Sequence, residues 1–491
     1  MKTSIRKILL PLPLFLLPLF SLAQLSAKWE QTYGGSGNEY GYRVRSCMDQ
    51  GYIVCGSTSS YGLSDGYLVR TDSLGLTMWS KRYGGDNIDV MRSIKQLPDS
   101  GYIVAGYSNS GGHGGYDGWV LRLDKIGDTL WTKYYGTTDW DFFYDVAPTY
   151  DGGFVLAGGT YGLGMGDEDF YLVKIDAVGN VVWTRTYGGL KQDEARSIVQ
   201  TGDSMIAAVG FTFSQGDTLG DSWILRVTST GALVWSTTMG YSNAEDQAWG
   251  IANCSTYSRL YVVGQTAVTG NNDCYIHCMN YNMNSVYTVT AGGPADDNYY
   301  GIAAREDGTI ATIGTTFSYG GGNGDMYFFK DRGGNAFTTF GTLLADGGYS
   351  IDFANDGGYI ASGFTYGFNA TLPNIYLVKI DSTGISSGVL AVREQPSPLS
   401  FGNVSVFPNP VQNEATILFD ATENISGKLS IEIYDITGRK IEIPLSSQWE
   451  SSSSRSATCK INTEMLSNGI YEFVISSSLG GKSSGKFIVS H

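Results

Sequence analysis

The sequence predicts an all-β chain, and three observations lead to this fold class. Short runs rich in Val, Ile, Tyr and Trp recur along the chain and end in Gly and Asp, which is typical of strands joined by tight turns. No segment shows a sustained helical period. The stretches "DGYLVRTDSLGLTMWSKRYGG" and "DGWVLRLDKIGDTLWTKYYG" are two copies of one pattern, so the chain contains internal repeats.

The repeat predicts a seven-bladed β-propeller over residues 24–387. Each copy of about 50 residues holds four short apolar runs, which build one four-stranded antiparallel sheet. No such sheet can bury both faces alone, so the copies have to stack. The chain begins with a lone strand, "KWEQTYGG", and its seventh copy has only three, so we expect the first strand to complete the last blade. One aromatic anchor marks each copy: Trp29, Trp79, Trp131, Trp183, Trp235, Tyr287 and Phe337.

The N-terminus predicts a secretory signal peptide over residues 1–23. Lys2, Arg6 and Lys7 precede an apolar stretch at residues 8–20, and small residues favour cleavage after Ala23. The apolar stretch is interrupted by prolines and is shorter than the roughly 20 residues that a membrane-spanning helix needs. No other stretch is suited to spanning a membrane, so we expect no transmembrane segment.

The chain is acidic, and the acidity belongs to the repeats. Of 491 residues, 47 are Asp or Glu and 32 are Lys or Arg, which gives a net charge of −15. Residues 24–390 alone carry a net charge of −16. A nucleic-acid partner needs a cationic surface, so we expect none here. An acidic surface that maintains solubility outside the cell is the simplest interpretation.

The six cysteines leave two alternatives open. Cys47 and Cys55 flank a predicted hairpin turn, and exported proteins can form disulfides. A Cys47–Cys55 bridge and buried free thiols are both consistent with this spacing.

Two charged positions recur in every blade. A carboxylate stands near the start of each innermost strand and a basic residue stands in each third strand. We expect ion pairs or turn capping repeated around the ring, and the alternative is a carboxylate-lined channel mouth that holds Ca²⁺. The carboxylates are Glu39, Asp89, Asp141, Asp193, Asp246, Asp297 and Asp346, and the basic residues are Arg70, Arg122, Lys174, Arg226, His277, Lys330 and Lys379.

The two faces of the propeller are predicted to differ. Links from the first to the second strand and from the third to the fourth are tight turns, while the other links are longer and variable and share one face. Variable loops on a rigid scaffold commonly bind ligands. On this face we expect a glycan or protein site, with Trp140 and Phe142 close by; the alternative is packing between blades. The candidate ligand-binding residues are Tyr42, Arg92, Tyr144, Arg196, Trp249, Tyr300 and Tyr349.

Catalysis has little support in the sequence. The chain has three histidines, and none stands in a metal-binding or nucleophile–base pattern. We therefore name no catalytic residue and no required cofactor, with Ca²⁺ as the one candidate. Two alternatives to a binding protein stay open: a polysaccharide-acting enzyme that uses acidic residues at the channel mouth, and a purely structural surface protein.

A separate module follows the repeats. Residues 388–403, with Pro396 and Pro398, have the composition of a linker. Residues 404–491 contain alternating strands such as "LSIEIY", which predict a small immunoglobulin-like β-sandwich. Its motifs are "FPNP", "YDITGRK", "NGIYEF" and a final "GKFIVSH". The residues that carry them are Pro408, Asn409, Pro410, Asp435, Gly438, Gly469, Tyr471 and Lys486.

These motifs, in this order, resemble the type A C-terminal sorting domain of the type IX secretion system. The resemblance implies passage through the periplasm, recognition by the outer-membrane translocon, and removal by a sortase. It also implies that the protein is then released or attached at the outer cell surface. An ordinary immunoglobulin-like adhesion module is the alternative. Residues 28–384 resemble bacterial seven-bladed propeller repeats of the SBBP type, which implies a fold and not a function.

Overall fold

A computed structural model describes residues 27–216, 219–267, 270–331, 336–368, 370–382, 401–421, 429–435, 439–441, 450–451, 456–477 and 481–491. The chain divides into two compact units, Met1–Ala391 and Val392–His491. The predicted signal peptide lies outside the described residues, as does the predicted linker up to residue 400.

The first unit contains seven four-stranded antiparallel sheets within the described ranges. Strands are numbered β1 to β36 in chain order. The innermost strands are β2 (Glu39–Ser46), β6 (Asp89–Gln96), β10 (Asp141–Pro148), β14 (Asp193–Gln200), β18 (Asp246–Cys254), β22 (Asp297–Ala304) and β26 (Asp346–Phe353). The second strands are β3 (Tyr52–Thr58), β7 (Tyr102–Ser108), β11 (Phe154–Thr160), β15 (Ile206–Thr212), β19 (Arg259–Thr266), β23 (Ile310–Thr316) and β27 (Tyr359–Thr365).

The remaining strands complete each sheet toward the outside. The third strands are β4 (Asp65–Thr71), β8 (Asp117–Leu123), β12 (Asp169–Ile175), β16 (Asp221–Val227), β20 (Asp273–Asn280), β24 (Asp325–Lys330) and β28 (Asn374–Ile380). The outer strands are β5 (Thr77–Tyr83), β9 (Thr129–Tyr135), β13 (Val181–Tyr187), β17 (Leu233–Met239), β21 (Ser285–Ala291), β25 (Ala336–Phe340) and β1 (Ala27–Tyr33).

The seven sheets close into a ring, which makes the unit a seven-bladed β-propeller. Each innermost strand contacts the next one around the ring, and β26 contacts β2. Strand β1 pairs with β28, with Trp29 opposite Lys379, so the first strand completes the last blade. The Ser46 amide also donates to Asp352 Oδ2 at 3.0 Å between the first and seventh blades. The predicted fold class and ring closure are both confirmed.

The hydrophobic core lies between neighbouring blades. One cluster joins Leu172 of the third blade to Ile198 and Trp223 of the fourth, all of them buried. Burying a large apolar side chain contributes roughly 1.5–3 kcal/mol, so each blade depends on its neighbours for stability. The outer strands alternate between exposed and part-buried residues along their length, as in the pattern of β5.

The turns on one face are short and built as the sequence predicts. In the first blade, Asp72 Oδ1 accepts the amides of Leu74 and Leu76 at 2.8 and 2.9 Å. Gly75 takes φ +81°, a conformation that favours glycine. We call this side the short-turn face and the opposite side the long-loop face.

The second unit contains two four-stranded sheets within its described residues. Their orders are β29-β30-β34-β33 and β32-β31-β35-β36. Both sheets contribute to one core, which includes Ile417, Phe473 and Phe487. The first strand begins at Phe401, three residues before the predicted domain boundary. The strands are β29 (Phe401–Phe407), β30 (Glu414–Ala421), β31 (Leu429–Asp435), β32 (Lys440–Ile441), β33 (Glu450–Ser451), β34 (Ser456–Asn462), β35 (Gly469–Ser477) and β36 (Gly481–Val489).

All six cysteines are buried free thiols in the structure. Burial raises the pKa of both Cys47 and Cys55 to about 12. In the part of the chain that the structure describes, no helix has the length and apolar character to cross a membrane.

Candidate functional site

The seven candidate ligand-binding residues occupy one equivalent position in the seven blades. Each is the extra residue of a β-bulge, at which the register of the innermost strand skips one position against the second strand. In the first blade, for example, the register passes from Gly41 to Arg43 and leaves Tyr42 unmatched. A bulge re-aims a side chain, and the repeated bulge brings all seven together. The unmatched residues are Tyr42, Arg92, Tyr144, Arg196, Trp249, Tyr300 and Tyr349.

These seven side chains form a continuous ring around the central channel, which we call the axial ring. On one side, two guanidinium groups lie between aromatic rings. The Arg92 guanidinium carbon lies 4.2 Å from the Tyr42 ring centroid and 5.5 Å from that of Tyr144. Arg196 lies 4.3 Å from the Tyr144 centroid and 4.6 Å from that of Trp249. Such cation–π contacts are stabilising where water is partly excluded.

The other side of the axial ring is aromatic. Trp249 and Tyr300 have centroids 5.5 Å apart, and Tyr300 and Tyr349 have centroids 5.8 Å apart. Tyr349 lies 5.5 Å from Tyr42, which closes the circle. All seven residues are half-buried, and each contacts its neighbours within the ring. The ring therefore ties the blades together at the channel, and its role toward a ligand stays a prediction.

An ion pair crosses the channel directly below the axial ring. Arg43 Nη2 lies 3.2 Å from Asp145 Oδ1, although the two residues belong to the first and third blades. The hydroxyls of Ser93 and Ser197 donate to the same carboxylate at 2.7 and 2.8 Å. The charges of Arg43 and Lys95 and the Ser93 hydroxyl hold the pKa of Asp145 well below its usual value in spite of full burial. The Arg43–Asp145 ion pair therefore links the first and third blades across the channel.

The predicted carboxylate positions cap loops on the long-loop face. Each carboxylate is buried and accepts a backbone N–H from the loop that precedes it, at 2.5–3.0 Å. Hydroxyl groups add further bonds, as where Ser110 donates to Asp89 at 2.7 Å. The turn-capping interpretation accounts for these contacts. The residues are Glu39, Asp89, Asp141, Asp193, Asp246, Asp297 and Asp346.

The carboxylate and basic positions lie at opposite faces of the propeller, so the repeated ion pairs have other partners. The carboxylates begin the innermost strands at the long-loop face, whereas the basic residues end the third strands at the short-turn face. Five of the basic side chains pair instead with an Asp in the first turn of their own blade. Lys174 pairs with Asp151 at 3.0 Å, for example. The other pairs are Arg70–Asp49, Arg122–Asp99, Arg226–Asp203 and Lys379–Asp356.

The described residues contain no cluster of side chains that would hold the predicted calcium ion. Among the residues that the structure describes, no group of three or more His, Cys, Asp or Glu side chains is arranged to hold a metal ion. Calcium takes six to eight oxygen ligands. Each of the seven capping carboxylates already accepts a backbone N–H from its own loop through one oxygen. The structure thus favours capping, and a calcium site stays an untested prediction.

The channel mouth on the long-loop face carries an aromatic group that breaks the repeat. Phe142 is its centre: its ring centroid lies 5.1 Å from Tyr107, 5.5 Å from Tyr116 and 6.4 Å from both Trp140 and Tyr161. We call these five residues the aromatic mouth. Trp140 is 51% exposed and Tyr161 is 40% exposed, so these two side chains of the aromatic mouth are open to solvent.

Two carboxylates beside the aromatic mouth were missed by the sequence analysis. Glu168 and Glu194 are each 2% exposed. Arg196 Nη2 lies 2.9 Å from Glu194 Oε1, and Gln192 Nε2 donates to Glu168 at 2.9 Å. Burial and the charge of Glu194 raise the pKa of Glu168 to about 7. The available signal was that these positions carry Glu in only one blade.

In the second unit, the predicted sorting motifs meet at the last strand. Asn409 Oδ1 accepts the Ile488 amide at 2.9 Å, and Val411 pairs with the same strand. Tyr471 stacks on Phe487 with centroids 5.7 Å apart. Pro408, Asn409, Pro410 and Lys486 are exposed.

Two other motif residues lie on the strands of the same sheet, where Asp435 is opposite Tyr471. Asp435 Oδ1 accepts the Arg439 amide at 3.1 Å. Gly469 begins β35 opposite Val489. Gly438 lies outside the described residues.

Comparisons with known proteins bear on both units. No curated protein matches the chain. Among solved structures, the crystal structure of Sqt1 from Chaetomium thermophilum covers 69% of this chain and 82% of its own, at 12% sequence identity and a TM-score of 0.41. Residues 405–490 match the family model described as a secretion system C-terminal sorting domain. That match implies a cargo of type IX secretion that is destined for the outer surface or the medium.

Proposed function

We propose that the propeller binds a glycan on its long-loop face. One observation carries this proposal: of the ten exposed aromatic side chains in the described residues, seven lie in the long loops. Tyrosine and tryptophan on an exposed surface are typical of recognition sites. The seven are Tyr61, Trp140, Tyr161, Tyr241, Phe317, Tyr319 and Tyr366.

The chemistry of this face suits a neutral or amino sugar. An aromatic ring packs against the C–H face of a pyranose, and carboxylates accept hydrogen bonds from its hydroxyls. Asp139, Asp167 and Glu245 are exposed on the same face and supply such acceptors. These charges would repel a polyanion. The axial ring lies below the aromatic mouth and, in this proposal, supports the site from beneath, with Tyr144 stacked on Phe142.

Delivery rests on the C-terminal unit. We propose that the signal peptide directs passage into the periplasm, that the translocon recognises the sorting domain, and that a sortase removes it. In a host with this secretion system, the full chain should reach the medium or the outer surface. A chain that ends at residue 403 should stay in the periplasm. Equal export of both chains would contradict the proposed route.

A glycan array tests the binding proposal. The purified protein should bind a narrow set of glycans, in buffer with Ca²⁺ and again with EDTA. Loss of glycan binding in EDTA would support a calcium site among the seven carboxylates at the channel mouth. Silence in both buffers would contradict the glycan proposal and make a protein ligand on the same face the better interpretation.

A second candidate, a polysaccharide-acting enzyme, is favoured by the Glu168 and Glu194 pair. A buried carboxyl with a pKa raised to about 7, as in Glu168, is suited to act as a general acid. If the protein cleaves a glycan from the array, new reducing ends should appear, and Glu168→Gln and Glu194→Gln should each abolish them. Binding without new reducing ends would exclude this candidate for those glycans.

A further inference from the structure

The channel near the short-turn face carries charge on one side only. Three residues after the bulge, the first two blades place Arg45 and Lys95 at equivalent positions of β2 and β6. Both side chains are half-buried, so they stay accessible to solvent. The seventh blade places Asp352 there. The other four blades carry small or aliphatic residues, namely Ala147, Val199, Ala252 and Ala303.

Among the described residues, neither cation has a carboxylate within the 4 Å of an ion pair. Arg45 Nη1 donates to the Val44 carbonyl at 3.1 Å. The Lys95 ammonium makes no hydrogen bond there and no ion pair within 4 Å. The nearby carboxylates have other donors: Asp145 is paired with Arg43. Asp352 accepts the backbone amides of residues 46 and 353, each at 3.0 Å.

The charged groups that face Lys95 are Arg45, Arg43, Asp145 and Asp352. Burial and the two guanidinium groups outweigh the two carboxylates and lower the pKa of Lys95 to about 7. Two basic side chains from neighbouring blades therefore stand in a confined, partly dehydrated space, and a bound anion there would favour the protonated form of Lys95.

We propose that the short-turn end of the channel binds a small oxyanion between Arg45 and Lys95. A phosphate or sulfate group has acceptor oxygens for both the guanidinium fork and the ammonium. The anion is either a free inorganic ion or a group carried by a larger ligand. This site lies at the opposite end of the channel from the aromatic mouth, so it does not depend on the proposed glycan site.

Isothermal titration calorimetry of the full protein with inorganic sulfate and phosphate tests the proposal. At pH 7.5, titrations in two buffers of different ionisation enthalpy should show saturable binding with proton uptake, because the bound anion raises the pKa of Lys95. Lys95→Met should weaken binding at least tenfold and remove the proton uptake. Lys125→Met, which removes an exposed lysine of the short-turn face, is the matched control and should bind as the wild type does.

Absence of saturable binding, or equal binding by Lys95→Met and Lys125→Met, would overturn the proposal. Arg45→Met should also weaken anion binding. Thermal unfolding of each variant shows whether the fold is intact. Titration with a sulfated oligosaccharide separates the two sources of the anion. If the oligosaccharide binds more tightly than inorganic sulfate and inorganic sulfate displaces it, the anion is a group carried by a larger ligand. Trp140→Ala should leave all these titrations unchanged, which separates this site from the glycan site.

Discussion

Arg92 lies between two tyrosine rings at the propeller axis and forms no ion pair with a carboxylate of the described ranges. Its stabilising contacts are the rings of Tyr42 and Tyr144. Each cation–π contact is worth about 0.5–2 kcal/mol, depending on how far it is desolvated. Arg92→Met should therefore lower the free energy of unfolding by about 1–3 kcal/mol, measured by chemical denaturation.

The matched control for this change is Arg185→Met. Arg185 is exposed on an outer strand, and its removal should change stability by less than about 0.5 kcal/mol. If both variants unfold at the same denaturant concentration, the axial ring does not join the blades as described.

Glu168 makes stability depend on pH in a defined window. The folded protein holds its proton up to about pH 7, whereas the unfolded chain releases it near 4.5. The folded state then binds more protons between these values, so this group lowers the free energy of unfolding as pH rises from 4.5 to 7. Glu168→Gln should flatten that slope, while Glu245→Gln, an exposed glutamate of the same face, should preserve it. Parallel slopes in all three proteins would rule out a buried, protonated Glu168.

Sequence reasoning located the axial residues because a repeat reports equivalent positions. It did not show the bulge that turns them inward, since a bulge is visible only when the register of the neighbouring strand is known. It also missed the Arg43–Asp145 pair, which joins two blades that are not neighbours in the ring. Glu168 and Glu194 carried the usable signal of breaking the repeat.

At the scale of the element, Gly188 lies between two carboxylates, and Gly136, Gly240 and Gly341 have the same kind of surroundings in other blades. A Cβ on Gly188 would lie 2.4 Å from Asp169 Oδ1 and 2.6 Å from Asp193 Oδ2, at a φ of +154°. Gly188→Ala should thus cost about 3 kcal/mol of stability, because it combines backbone strain with displaced buried carboxylates. Denaturant unfolding provides the measurement.

Gly152→Ala is the control for that substitution. Gly152 also has a positive φ, +82°, but a Cβ there would have nothing within 4 Å. Its loss of about 1 kcal/mol would report strain alone. Equal losses in both variants would mean that the paired carboxylates tolerate a methyl group.

The strands themselves were predictable, because their apolar runs and turn residues are local signals. The pairing of charged residues was not, since it depends on which end of each strand a residue reaches. Arg70 and Glu39 recur with the same regularity, yet they lie at opposite faces of the propeller. Regular spacing therefore identifies an architectural position without identifying its partner.

At the scale of the whole molecule, the repeat builds a scaffold and its exceptions build the candidate sites. The aromatic mouth, the buried glutamate pair and the unpaired channel cations all occur in some blades and not in others. The fold and the sorting motifs were readable in the sequence. The aromatic exposure of one face was not, because loop residues become exposed or buried only in the folded ring.

Two exposed aromatic residues on opposite faces provide the decisive comparison for the proposed glycan site. Trp140 is 51% exposed on the long-loop face, and Tyr150 is 68% exposed on the short-turn face. Titration of the bound glycan should show that Trp140→Ala weakens binding at least tenfold and that Tyr150→Ala leaves it unchanged. Binding that is lost in Tyr150→Ala and retained in Trp140→Ala would contradict a site on the long-loop face.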